Sequence, residues 1–405
     1  MKNARSYVFV LGRNADISVA EIKAVCNAHN WTYEEVLKTR EVYIVDSDNL
    51  DANVLHKTLG GTVKIGEVVS VSHIDSIEET LDFALLSRVL ATKTGKVQFG
   101  ISIYDGGVMQ GVEYLDRALA NLCKSIKREL RSQDMSVRFA HNTERFLSSV
   151  VVTKDKLIEK GAEILLIPST DGVIIGKTLS VQEFEAFSDR DYGRPVRDMK
   201  SGVMPPKLAR MMINLSEIAS DKVLLDPFCG SGTMLQEAIL LGFSNVLGRD
   251  VSSKAIEDSR VNMEWLTQAN SNIQAKIDIK QADVARLSSD LKIFVSVIVT
   301  EPYLGPTLHR EPTRGEFEKV ERQLKELYLG AFKEFKKILD KDGVVVFILP
   351  AFMRFGKVQY MDIISGIEKL GFKQEVLSEN NRGSIIYGNK YDFVLREIVK
   401  FKKSK

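Results

Sequence analysis

An open parallel α/β sheet in the second half of the chain, preceded by an α+β region, is the fold class that this sequence of 405 residues predicts. Three observations carry it. The apolar run Val223-Leu224-Leu225 reads as a buried strand. It passes through Asp226-Pro-Phe-Cys-Gly-Ser-Gly-Thr233 into Met234–Leu241, which reads as a helix closed by Gly242. A second run, Ile293–Val299, has the unbroken hydrophobicity of a strand covered on both faces. In the first half, short strand-like and helix-like segments alternate.

Taken in order, Ser6–Leu11 is expected as a strand and Ser18–Ala28 as a helix, with Ser18 as N-cap and Glu21 completing a capping box. Glu41–Val45 reads as a strand, Asp51–Leu59 as a helix and Thr62–Val71 as a strand, so residues 1–72 should form a small ferredoxin-like α+β domain. A second unit, 73–187, begins with the strand Val97–Tyr104. Its helix Tyr114–Arg131 lines up Leu115, Leu119, Leu122, Ile126 and Leu130 on one face, with Arg117, Lys124, Lys127, Arg128 and Arg131 on others. Strands at Ser136–Phe139 and Ser148–Val152, a short helix at 154–160, and strands at Ile164–Ile167 and Val173–Gly176 complete it. The polar, arginine-bearing stretch 188–206, with Pro195, Pro205 and Pro206, reads as a linker. Residues 207–405 form the last unit. It has helices at Leu208–Ala219, Ser253–Leu266, Glu316–Leu339 and Asp362–Leu370, further strands at Asn245–Asp250 and Gly343–Leu349, and a strand Tyr391–Val399 in a terminal hairpin.

Composition narrows the class. The chain is 44% hydrophobic and 27% charged, ordinary for a globular protein, and its net charge of +2 allows at most a local basic face. No run is long enough to span a bilayer, and Tyr7–Leu11 is too short for a signal sequence. Cys26, Cys123 and Cys229 are far apart, which gives no metal-ligand spacing and points to a reducing, cytoplasmic setting. The five histidines are scattered, so neither a zinc site nor a nucleophile–histidine pair is expected. Gly172–Thr178 looks like a phosphate loop but is one residue short and reads as a strand and turn.

The chemistry concentrates at two places. Gly230 and Gly232 let the chain turn sharply after the first strand, so the helix N-terminus offers a nucleotide-sized site at the carboxyl edge of the sheet. No third glycine follows at the dinucleotide spacing. Asp250, at the end of the second strand, is placed to bind ribose hydroxyls. Asp283, after the next strand, is placed to meet an adenine amine, although an acid at a strand end is more often a cap. Cys229 reads as a small residue tolerated in a tight turn rather than a catalyst.

Asp226-Pro-Phe-Cys-Gly-Ser-Gly-Thr233 resembles the first motif of S-adenosylmethionine-dependent methyltransferases that act on exocyclic amines. That resemblance implies that Asp226, Phe228, Cys229, Gly230, Gly232, Thr233, Asp250 and Asp283 surround the cofactor. In such enzymes an acid or amide, two prolines and an aromatic follow the fourth strand, where this chain has Thr300-Glu-Pro-Tyr-Leu-Gly-Pro306. An exocyclic amine is a poor nucleophile because its lone pair is delocalised; an acceptor oxygen on its N–H groups localises and aims that lone pair. Two registers are open. In one, Glu301 is the acceptor and Tyr303 replaces the second proline; in the other, Pro302-Tyr303 close the motif and Thr300 replaces the acid. The first is preferred because a carboxylate accepts more strongly than a hydroxyl. Both put Tyr303 near the substrate.

Over nearly its whole length the chain resembles the tRNA guanine-10 N2-methyltransferase family. Tyr7–Asn14 with Ser18-x-x-Glu21-Ile22, Arg194-Pro195, Met204–Arg210, Asp226–Thr233, and Ile386-Tyr387-Gly388 with Phe393-Val394-x-Arg396-Glu397-Ile398 carry the likeness; the loop at Glu301 departs from it. The resemblance implies a Rossmann-like class I methyltransferase domain preceded by an α+β region with a THUMP-like RNA-binding domain. It implies a monomer that methylates N2 of guanine in tRNA from S-adenosylmethionine, with Arg117, Lys124, Lys127, Arg128 and Arg131 as candidate RNA contacts. A DNA adenine amino-methyltransferase, or an RNA-binding protein with a degenerate site, are the competing expectations, and an activating subunit is left open.

Overall fold

The computed structural model describes residues 4–91, 96–140, 144–197, 204–308, 310–389 and 392–404. The chain divides into two compact units, Met1–Val19 with His29–Phe184, and Ala20–Ala28 with Glu185–Lys405.

The first unit is built on one eight-stranded sheet. Its strands are β1 (Arg5–Leu11), β2 (Glu34–Lys38), β3 (Val42–Ser47), β4 (Thr62–Ser72), β5 (Lys96–Ile103), β6 (Ser136–Phe139), β7 (Gly161–Ser169) and β8 (Gly172–Val181), in the order β2-β3-β1-β4-β8-β7-β5-β6. The expected boundary at 72/73 is therefore not a sheet boundary. β4 pairs antiparallel with β8 from Lys64↔Val181 to Ser72↔Val173, which makes the regions 1–72 and 73–187 one ladder. A buried ion pair crosses the same seam: Lys64 of β4 meets Glu163 of β7, whose carboxylate also accepts from Ser102 and Thr178.

Two local expectations are corrected. Helix α1 spans Ala15–Ala28, so Ser18 lies inside it. Ser18 is buried and its hydroxyl donates to the Asn14 and Gly61 carbonyls, an internal tie rather than a cap. Ser148–Val152, expected as a strand, belongs to a helix over Ser149–Lys154, because the Ser148 hydroxyl caps it by accepting from the Val151 N–H. Helix α2 (Met109–Arg131) keeps its expected apolar face: Leu115, Leu122, Ile126 and Leu130 are buried, and Leu119 packs against the same cluster.

The second unit holds the parallel sheet. Strands β9 (Val223–Asp226), β10 (Asn245–Asp250), β11 (Lys276–Gln281), β12 (Val295–Thr300), β13 (Leu339–Arg354), β14 (Lys357–Tyr360), β15 (Phe372–Glu375), β16 (Ile385–Tyr387) and β17 (Val394–Lys403) form it, ordered β11-β10-β9-β12-β13-β17-β15. The order reverses between β9 and β12, which leaves the crevice of a doubly wound sheet outside their carboxyl ends. β17 runs antiparallel between β13 and β15. β12 begins at Val295, opposite Leu339, so Ile293 and Phe294 stay outside the ladder and are exposed. Helices α3 (Pro206–Leu215), α4 (Thr233–Leu240), α5 (Ser253–Ala269) and α6 (Arg314–Ile338) cover the sheet, and Phe332 packs edge-on against Phe347, Phe372 and Phe401 in the core.

The stretch expected as a linker is anchored where it is described. Arg190 and, from α3, Arg210 both pair with Glu237 of α4, a fully buried carboxylate, and Val196 exchanges two hydrogen bonds with Asn262 of α5. Its Arg190 neutralises a buried acid rather than solvating a tether. Residues 198–203 of that stretch lie outside the described residues.

Candidate active site

The glycine loop forms as its residue types require. β9 ends at Asp226, and α4 begins at Thr233 after Gly232 as N-cap. Gly230 and Gly232 have φ of +50° and +88°, backbone that side chains with a Cβ rarely adopt. At Gly230 the added Cβ would meet open space, whereas at Gly232 it would lie 2.5 Å from the Ser259 hydroxyl. Asp250, at the end of β10, holds the loop: its Oδ2 accepts from the Gly230 N–H at 3.0 Å and its Oδ1 from the Ser252 N–H at 2.9 Å.

Asp226 turns inward. It is buried, and its Oδ1 accepts from the Phe228 N–H (3.1 Å) and from the Thr300 hydroxyl (2.6 Å). Burial pushes its carboxyl up to about 7, opposed by these two hydrogen bonds. Through Oδ1 it therefore ties the glycine loop to the next loop. The same bond fixes Thr300, which is fully buried. The register in which Thr300 serves as the acceptor is left without a presented hydroxyl.

Glu301, the next residue, is partly exposed and is gripped side-on. Arg396 of β17 donates from Nε to Oε1 (2.6 Å) and from Nη2 to Oε2 (3.4 Å). Pro302 is buried, and Tyr303 is 58% exposed. The Tyr303 carbonyl accepts from the Tyr328 hydroxyl of α6 at 2.7 Å. Three elements thus hold positions 300, 301 and 303 of this loop.

The other expected residues fall as follows. Phe228 is half-buried in the loop, and Cys229 is buried, which raises its thiol pKa. The Cys229 N–H donates to the Arg249 carbonyl, so the residue serves the turn. Asp283 is exposed and its Oδ1 caps a short 3₁₀ turn through the Ala285 N–H. Thr233 is buried and accepts from Arg194 Nη1. Arg194 is buried as well, and its Nε and Nη2 have no hydrogen-bond partner among the described residues.

Arg194, Tyr328 and Arg396 were not singled out as site residues from the sequence. Arg396 lies 95 positions from Glu301, and only the pairing of β17 with β13, at Pro350↔Arg396, brings it to the carboxyl edge. A signal did exist for Arg194 and Arg396, since both stand in segments carrying the family likeness.

In the first unit, Arg117, Lys124, Arg128 and Arg131 are exposed on α2 and Lys127 is half-buried. Positions 117, 124 and 131 recur every seven residues, so they share one face of the helix. A cleft of about 400 Å³ lies beside that face rather than at the glycine loop, lined by Cys123, Lys124, Lys127, Phe139 and Leu147 among others.

Residues 194–369 match the UPF0020 family model, described as RMKL-like, methyltransferase domain. A protein from Methanothermococcus thermolithotrophicus named "Probable tRNA (guanine(10)-N2)-dimethyltransferase" is 32% identical over 146 residues, 35% of this chain and 78% of that one. The chain belongs to the tRNA (guanine(10)-N2)-methyltransferase family. A family member from Methanocaldococcus jannaschii, named tRNA (guanine(10)-N2)-dimethyltransferase, is 32% identical over 162 residues. That match takes in 38% of this chain and 44% of the relative, so the chain spans less than half of that relative's length. The crystal structure of TrmN from Thermus thermophilus has the same fold along 98% of this chain and 99% of its own, with a TM-score of 0.53 at 12% identity. The fold is thus a class I methyltransferase, Rossmann-like sheet in the second unit, preceded by the α+β sheet of the first.

Proposed function

We propose that this chain transfers the methyl group of S-adenosylmethionine to the exocyclic N2 amine of a guanine in tRNA. The carrying observation is the Thr300–Asp226 hydrogen bond. It locks the glycine loop to the loop that presents Glu301, so a nucleotide cradle and a carboxylate share one edge of the sheet. Family membership supports the substrate class, and the basic face of α2 supports an RNA partner.

The residues present fit the cofactor. Gly230 leaves space at its Cβ position, Asp250 stands at the end of the second strand, and the unpartnered Nε and Nη2 of Arg194 are a donor set for an anionic amino-acid end. Gly230, Asp250 and Arg194 would hold it. S-adenosylmethionine, when bound, supplies the electrophilic methyl group for direct displacement. Glu301 accepts a hydrogen bond from the target amine and aims its lone pair, and the proton that the amine sheds on methylation leaves to Glu301 or water. A carboxylate has about four acceptor positions, so the two Arg396 contacts leave room for the amine. The exposed Tyr303 ring offers a stacking surface for a base taken out of the helix, at a cost of a few kcal/mol for extrusion. Asp226 and Thr300 position the two loops and do not touch the substrate.

Incubation with tRNA and, separately, with duplex DNA, followed by digestion to nucleosides and mass spectrometry, tests the reading. N2-methylated guanosine from tRNA supports it. Methylated adenine from DNA, or no methylated nucleoside from either, overturns it.

A further inference from the structure

The hairpin β13–β14 closes with Phe355-Gly356, and both residues have positive φ, +49° and +70°. Such two-residue turns favour Asn and Gly because the left-handed region crowds a side chain. Phenylalanine there is a costly choice, and the ring is 81% exposed, so neither backbone preference nor burial explains it. The tip is nonetheless firmly held. The Phe355 N–H donates to Glu311 Oε1 at 3.0 Å. The Arg354 guanidinium lies 5.5 Å from the Phe355 ring centre and 4.7 Å from that of buried Phe317, and its Nη1 donates to Gln359 at 2.9 Å. A solvent-facing aromatic ring on a tethered backbone, between Arg354 and Lys357, has the composition of a base-stacking platform with phosphate contacts.

Its place in the sheet relates it to the site. Thr300 pairs with Phe347 and Arg396, the partner of Glu301, pairs with Pro350, so Pro350 marks the level of the carboxylate. Phe355 lies five residues farther along, about 16 Å beyond that level at about 3.3 Å per residue, on the same carboxyl edge. That is too far to touch the target base and near enough to meet the stack that the base leaves.

We propose that Phe355 stacks on a nucleobase flanking the extruded guanine and holds the opened RNA helix. The inference rests on the function proposed above. The test uses full-length protein and a tRNA transcript, with Phe355→Asn and Phe355→Trp. Asn suits the left-handed backbone, so F355N should melt at or above the wild-type temperature and bind S-adenosylmethionine normally, while kcat/KM for tRNA falls about tenfold, the order expected for one lost base–aromatic stack. F355W should stay within about threefold of wild type, since an indole stacks at least as well. Wild-type kcat/KM in folded F355N overturns the proposal, as does a tenfold loss in F355W equal to that in F355N. If wild-type protein methylates no tRNA, the function proposed above fails instead. The hairpin is then judged by binding of the same transcript: weakening in F355N supports the stack, and unchanged binding overturns it.

Discussion

The glycine loop and the loop bearing Glu301 sit on neighbouring strands and are joined at Asp226, yet they are held in opposite ways. Residues 226–233 are fixed by their own chain and the next strand: positive φ at Gly230 and Gly232, the Cys229 N–H on Arg249, and Asp250 on Gly230. Residues 300–303 are fixed from afar, by Arg396 of β17 and Tyr328 of α6. The first loop is a local consequence of its sequence. The second is a product of topology and takes its shape only when the terminal antiparallel strand is in place.

The sharpest way to break this contrast is at Gly232. Gly232→Val puts a branched Cβ at φ +88° and 2.5 Å from the Ser259 hydroxyl, and Ser259 is fully buried. The expected loss is about 2 kcal/mol or more in stability, with loss of tight S-adenosylmethionine binding. Denaturant melts and calorimetry measure both, and wild-type affinity in a stable variant would show that the cradle lies elsewhere. Glu301→Ala should act differently, leaving cofactor affinity intact. Turnover should fall by roughly ten- to over a hundredfold, as for a lost hydrogen bond to a charged group of about 1.5–3 kcal/mol.

Arg396 should matter only through Glu301. Arg396→Gln should lower kcat several-fold, and in a Glu301→Ala background it should add almost nothing, because the arginine acts through the carboxylate. Full additivity in that cycle would assign Arg396 to the β17 ladder alone. A pH effect belongs to the junction. Asp226 has a folded pKa near 7 against an ordinary 3.8, so the folded state retains a proton that the unfolded chain releases. Its contribution to stability is complete below about pH 4 and is lost as pH rises through about 7. Asp226→Asn should flatten the stability profile in that window, which urea melts at several pH values would reveal.

How much of this was legible follows the same division. The loop 226–233 and strands β9, β10 and β12 were readable because glycine spacing and unbroken apolar runs act over a few residues. Ser18 and Ser148 were misread, since a serine before an apolar run looks alike whether it caps a helix, ties one internally or precedes a strand. The sheet shared by β4 and β8 was hidden for a stronger reason: Lys64 and Val181 are 117 positions apart and only the folded ladder pairs them. Glu301 was legible as an acid, but its pairing with Arg396 was not. The smallest expected effect concerns the first unit. Lys124→Ala and Arg128→Ala should each weaken tRNA binding modestly and lower the salt slope by about one, as for single phosphate contacts. Binding isotherms at several salt concentrations would show it, and an unchanged slope would remove α2 from the RNA face.

Glu301, steadied by Arg396, is proposed to act on a guanine amine in tRNA. Single-turnover methyl transfer to tRNA at saturating S-adenosylmethionine, read as N2-methylguanosine by mass spectrometry, tests it most directly. Wild-type protein should form the product, and Glu301→Ala should form it at least about tenfold more slowly with unchanged cofactor affinity. Equal rates for the two proteins would remove Glu301 from the reaction.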